Sequence, residues 1–167
     1  YDIYAELDVS YHTFLEGYKS QYDTAMILQD EGRFDEARAA FTSLGKFSDS
    51  ETQAKESLYL KANHLRTNGE YSEALEIFTS LGDYADALLR VQQTKADRLF
   101  SQGSYTAAFD IYTELDESYH TNADGYQSLY TSAKKLQNEG LFDKASTVFA
   151  SLGKYADSIT QYKESQY

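Results

Sequence analysis

The stretch EGRFDEARAAFTSLGKFSDS, residues 31–50, decides how this chain folds, because it returns as EGLFDKASTVFASLGKYADS at residues 139–158. The same offset of 108 lays YDIYAELDVSYHT, from residue 1, on FDIYTELDESYHT, from residue 109. Of the 59 overlapping positions, 35 are identical. A helical pattern alone does not converge that far, so a large block has been duplicated. Inside the block a shorter skeleton recurs four times. It reads Ala25, Leu28, Gly32, Phe34, Ala37, Phe41, Leu44, and then Ala62, Leu65, Gly69, Tyr71, Ala74, Phe78, Leu81. The third copy is Ala96, Leu99, Gly103, Tyr105, Ala108, Tyr112, Leu115, and the fourth Ala133, Leu136, Gly140, Phe142, Ala145, Phe149, Leu152. Successive glycines stand 37, 34 and 37 residues apart.

Steps of three and four put Ala25 and Leu28 on one helix face, and Ala37, Phe41 and Leu44 on one face of a second helix. The glycine between them sits where the first helix must stop, since it adopts the left-handed backbone a helix C-cap requires. The paired alanines allow close approach of the two helices, with the aromatic and Leu filling the space around them. Each unit is therefore a helix, a tight turn and a second helix, and it must stack on neighbours to bury its apolar face. The links SLGKFSDSE, SLGDYADAL and SLGKYADSI share Asp49, Asp86 and Asp157, which the spacing places as N-caps; Ser48 with Glu51 is a rival cap in the first. Two further links, AELDVSYHT and TELDESYHT, lack the glycine and are more polar.

These residues resemble the tetratricopeptide repeat, TPR. The Gly-x-aromatic-x-x-Ala-x-x-x-aromatic core of that family's hairpin occurs in all four copies and spans nearly the whole chain. The resemblance implies an all-α solenoid of stacked antiparallel helical hairpins in a right-handed superhelix. It divides the chain into a partial unit 1–17, units 18–54, 55–88, 89–125 and 126–162, and the start of a next unit at 163–167. The family's usual Pro at the end of the second helix is missing, and the 37-residue period implies a longer first helix. The LG[DK]YxDS linker is similar to a degenerate variant common in bacterial, often membrane-tethered proteins. The chain opens on Tyr1 without Met or signal peptide and reads as part of a longer array.

Composition narrows the function classes. The chain has 167 residues, 41% of them hydrophobic and 25% charged, as expected of a folded protein. A net charge of -12 argues against nucleic acid and against anionic membrane surfaces as partners. Without cysteine there is no disulfide or thiolate chemistry, and no compartment follows. No apolar run reaches the roughly 20 residues of a membrane span, so no insertion is expected in this segment.

Chemistry-bearing motifs are absent. His12 and His120 are copies of one repeat position and His64 lies on a first helix, so none is read as a metal ligand. The loop LDESYHTNADG holds Asp116, Glu117, Asn122 and Asp124 but lacks EF-hand spacing, and its twin keeps only Asp8 and Glu16. There is no nucleophile elbow or P-loop. The expectation is a non-enzymatic scaffold without cofactor or metal.

The resemblance implies that first helices line a concave face, whose exposed positions contact a protein or peptide. Carried over by register, these are Lys19, Tyr22, Met26 and Gln29; Tyr59, Asn63 and Arg66; Arg90, Gln93 and Asp97; and Tyr130, Lys134 and Gln137. The candidate groove is Tyr22, Tyr59, Asn63, Arg66, Arg90, Gln93, Tyr130 and Lys134. The set is more cationic and aromatic than the chain, which fits an acidic partner. The bland alternative is that these side chains solvate a helix face or pack between units. A carboxylate clamp is not expected, since only Lys134 and Asn138 match its first step. The alternative function is a structural, self-assembling rod or filament, a homo-oligomer built by stacking of repeats.

Overall fold

A computed structural model of the protein describes residues 2–166, with side chains from Tyr11 to Gln166. Tyr1 and Tyr167 lie outside the described residues, and the side chains of Tyr4, Leu7 and Asp8 outside the described side chains. Among the described residues there are nine α-helices, one 3-10 helix and no strand. They are α1 (Asp2–Asp30), α2 (Phe34–Leu44), α3 (Ser50–Thr67), α4 (Tyr71–Leu81), α5 (Ala87–Ser101), α6 (Tyr105–Glu114), α7 (Ala123–Asn138), α8 (Phe142–Leu152) and α9 (Ser158–Glu164), with the 3-10 turn at Glu117–Tyr119. They form two compact units, Tyr1–Ala85 and Asp86–Tyr167.

In the first unit α2 packs on α1 and α3, and α4 on α3. In the second, α5 packs on α6, α7 on α8, α8 on α9, and α6 also on α8. Each hairpin turn is closed in the same way. The residue after the glycine donates its backbone N–H to the carbonyl of the skeleton Leu: Arg33 to Leu28, Glu70 to Leu65, Ser104 to Leu99 and Leu141 to Leu136, at 2.9–3.0 Å. Such a closure needs a left-handed residue, and Gly32 supplies it at φ 76°. All eight skeleton alanines are fully buried, including Ala62 and Ala74 at the crossing of α3 and α4, with Phe41, Phe78, Tyr112 and Phe149 around them. These rings sit edge-on to tyrosines of the first helices, Tyr22 to Phe41 at 5.4 Å, Tyr59 to Phe78 at 5.8 Å and Tyr130 to Phe149 at 5.8 Å.

The longer period does lengthen a first helix. α3, inside a 37-residue spacing, has 18 residues, against 15 for α5 inside the 34-residue one. In the last 37-residue spacing α7 has 16, and the remaining residues go into the link around the 3-10 turn.

Two expectations are corrected. The AELDVSYHT stretch is not a link: α1 runs through it without a break from residue 2 to residue 30. Val9, Phe14 and Leu15 stand where the second copy has Glu117, Asn122 and Ala123, so the local signals for stopping one helix and starting another are missing. Asp49, Asp86 and Asp157 occupy the N-cap position as expected but make no side-chain cap hydrogen bond. Ser48 is not the cap either. It takes a left-handed backbone at φ 52°, as do Ala85 and Ala156 at φ 49° in the equivalent links.

Candidate functional site

The carboxylates freed from capping are turned toward first-helix tyrosines. In the first unit the Tyr22 hydroxyl donates to Asp49 Oδ1 at 2.6 Å, and Gln53 Nε2 donates to Asp49 Oδ2 at 3.0 Å. In the second unit Tyr130 donates to Asp157, and Gln161 Nε2 to Asp157 Oδ2 at 3.0 Å. The hydrogen bond from its tyrosine holds each carboxyl below the ordinary Asp range, and the same bond pushes Tyr22 and Tyr130 up. Behind each pair a second polar contact repeats. Ser57 Oγ donates to buried Gln29 at 2.8 Å, and Gln137 Nε2 donates to Ser165 at 3.2 Å. Tyr84, whose hydroxyl donates to Glu56 at 2.7 Å, is raised to about 12, by burial first and by that carboxylate second.

Tyr59, Asn63 and Arg66 are half-buried at spacings of four and three along α3, and Asn63 bonds back to the Tyr59 carbonyl. Tyr22, Tyr130, Arg90 and Lys134 are half-buried as well. Arg90 pairs with Asp86 at 3.1 Å, donates to Gln93 Oε1 at 2.9 Å and lies 5.1 Å over the Tyr119 ring. Lys134 donates to the amide oxygens of Gln137 and Gln161 at 3.1 and 2.8 Å.

Three expected exposures are wrong. Gln29, Gln93 and Asp97 are buried, at 8%, 1% and 5% of their full exposure. Gln93 reaches the Tyr119 carbonyl at 3.0 Å, closing a cluster in which the Tyr119 hydroxyl also donates to Asp86 at 2.6 Å. Asp97 accepts from Tyr112 and Thr121, with Asn122 Nδ2 at 3.4 Å. Asn122 also donates to the Tyr112 hydroxyl at 2.7 Å. Burial and the Asp97 carboxylate push the Tyr112 phenol far up. This network pins the link between α6 and α7, and the sequence reading missed it. A signal existed only for the tyrosine–aspartate pairs, since Tyr22 and Tyr130 both precede a link Asp by 27 residues. Met26 is likewise packed on the first core rather than presented, whereas Lys19 is exposed.

No protein-family model matches the chain, and no curated protein or solved structure matches it either.

Among the described residues no group of three or more His, Cys, Asp or Glu side chains is placed to hold a metal ion. Asp116 is engaged locally, accepting from the Ser118 N–H at 3.0 Å. His64 Nε2 lies 3.0 Å from the Asn68 amide nitrogen, and His120 Nε2 lies 3.2 Å from the Leu115 carbonyl. No described helix is long and apolar enough to cross a membrane.

Proposed function

We propose that this chain is a TPR-like, non-enzymatic scaffold that binds a protein or peptide through the first helices of its hairpins. The supporting observation is the half-exposed Tyr59–Asn63–Arg66 stripe on α3, backed by a close-packed core. Tyrosine and arginine that already sit among neighbours lose little rotamer freedom on binding, which favours their use as anchors. Lys134, a cation bonded to neutral amides on a chain of -12, favours an acidic ligand over a basic one. Titration calorimetry of an acidic peptide library against the parent and against Asn63→Ala with Arg66→Ala tests this. The double variant should bind at least about tenfold more weakly, with an unchanged helical spectrum, and 0.5 M salt should weaken the parent. Equal binding by parent and variant would remove these residues from the site.

A second reading, a self-assembling structural repeat, is favoured by apolar rings on the surface. Tyr11 and Phe14 are each 59% exposed, and Phe142 is 51% exposed.

A further inference from the structure

The second unit contains a cavity of about 110 Å³ between the α6–α7 link and the rings around it. Phe109, Tyr112, Tyr126 and Tyr155 wall it, with His120 and Ala123 at its exposed rim and Asn122 beside them. Tyr126 and Tyr155 stack at 5.3 Å between centroids. Phe109 stands edge-on to both, at 5.4 and 5.6 Å, and Tyr112 lies perpendicular to Tyr126 at 6.5 Å. Rings so inclined share no common plane, so a group touching all four meets at least one of them toward its negative π-face. The hydroxyls of the three tyrosines are spent elsewhere. That of Tyr112 is bonded to Asp97 and Asn122, that of Tyr126 donates to the Tyr105 carbonyl at 2.7 Å, and that of Tyr155 to Gln127 at 3.0 Å. The walls therefore offer a ligand ring surface rather than hydrogen bonds.

The charge around this surface has a sign. None of the seven lining residues is Lys or Arg. Asp97 lies behind the Tyr112 ring and accepts from its hydroxyl, from Thr121 and from Asn122, all neutral groups. Asp110, paired at the surface with Lys154 at 3.2 Å, acts on Tyr126. Burial pushes the Tyr112 and Tyr126 phenols up, and these two carboxylates push them further. A field that disfavours a phenolate disfavours any anion in the same space and favours a cation.

Size selects among cations. Benzene, with six heavy atoms, occupies an apolar cavity of about 150 Å³, so the 110 Å³ here suits four or five. A trimethylammonium head has four. Its charge is spread over methyl groups that need no acceptor, and aromatic walls bind such heads through their faces. A primary ammonium would bring donors that these walls leave unanswered. We propose that the cavity binds the trimethylammonium head of a small, choline-like cation, whose tail leaves past His120 and Ala123.

An NMR titration of the full chain with choline tests this, at constant ionic strength and at pH 8, where imidazoles are neutral. The control ligand is choline's neutral isostere, in which a carbon replaces the nitrogen. Choline should shift the amides of His120, Asn122 and Ala123 saturably, and its methyl protons should show Overhauser contacts to the rings of Phe109 and Tyr155. The isostere should bind at least tenfold more weakly. Ala123→Leu, at an exposed helix position, fills the mouth of the cavity and should weaken choline at least tenfold, with the helical spectrum of the parent. Tyr155→Leu keeps an apolar wall but removes a π-face, so it should weaken choline and leave the isostere unchanged. Equal binding of choline and isostere by the parent would make the cavity an apolar slot and overturn the cation site. So would the absence of a saturable shift, or full choline binding by folded Ala123→Leu.

Discussion

Residues 1–17 and 109–125 share eleven of seventeen positions yet adopt different backbones. From residue 2 on, the first stretch belongs to one unbroken helix, while the second ends α6, turns through Leu115 and Asp116 in extended conformation, makes a 3-10 turn and starts α7. The shared residues, including LD and SYHT, therefore do not dictate the break. Two things accompany it in the second copy. One is local: Asn122 at the N-cap position, where Phe14 stands in α1. The other is tertiary: Asp97 on α5 gathers Tyr112, Thr121 and Asn122 around one carboxylate.

The comparison breaks most readily at Asp97. Asp97→Ala leaves buried hydroxyls without their acceptor and should cost the second unit about 3 kcal/mol in urea unfolding. Amide exchange should accelerate at 115–122, with α1 to α4 unchanged; unaltered protection there would mean that the carboxylate does not hold the break. Next come the two glycines in equivalent register, Gly17 and Gly125. A Cβ at Gly125 would lie 2.5 Å from the Phe100 ring, which is wedged between Tyr105 and Tyr126, so Gly125→Ala should destabilise by about 2 kcal/mol. A Cβ at Gly17 meets nothing within 4 Å, so Gly17→Ala should stabilise α1 by up to about 1 kcal/mol. The same substitution with opposite signs, read as melting shifts, sharpens the contrast; equal signs would undo it.

Phe14→Asn with Leu15→Ala then gives α1 the local signals of the second copy. The helix should persist, at a cost under about 1 kcal/mol, with amide protection continuous through residues 11–18. A new break at residue 14 would show that the local signal alone suffices. The smallest effect is one the copies share. Asp49 and Asp157 have lowered folded pKa values, so their contribution is complete above the ordinary carboxylate range and is lost as pH falls from that range through the lowered folded values. Asp49→Asn with Asp157→Asn should therefore narrow the drop in melting temperature between pH 7 and pH 3 relative to the parent.

The hairpins were legible because each skeleton position does one job wherever it occurs. Gly32 must turn, Ala37 must be small, and Phe41 must fill. The links were less so. Asp49 reads as a cap by position, but its carboxylate goes to a tyrosine 27 residues back, a partner that only tertiary packing supplies. Gln29, Gln93 and Asp97 read as surface because polarity usually means exposure, whereas here each is bonded within its own unit.

Ala85 and Ala156 hold a left-handed backbone that costs an alanine about 1 kcal/mol, of which glycine would recover about half after its own entropy is counted. Alanine and glycine codons differ only at the second base. Both sites are therefore a single nucleotide change from relief, and random mutagenesis followed by selection for heat resistance has a short path to each link.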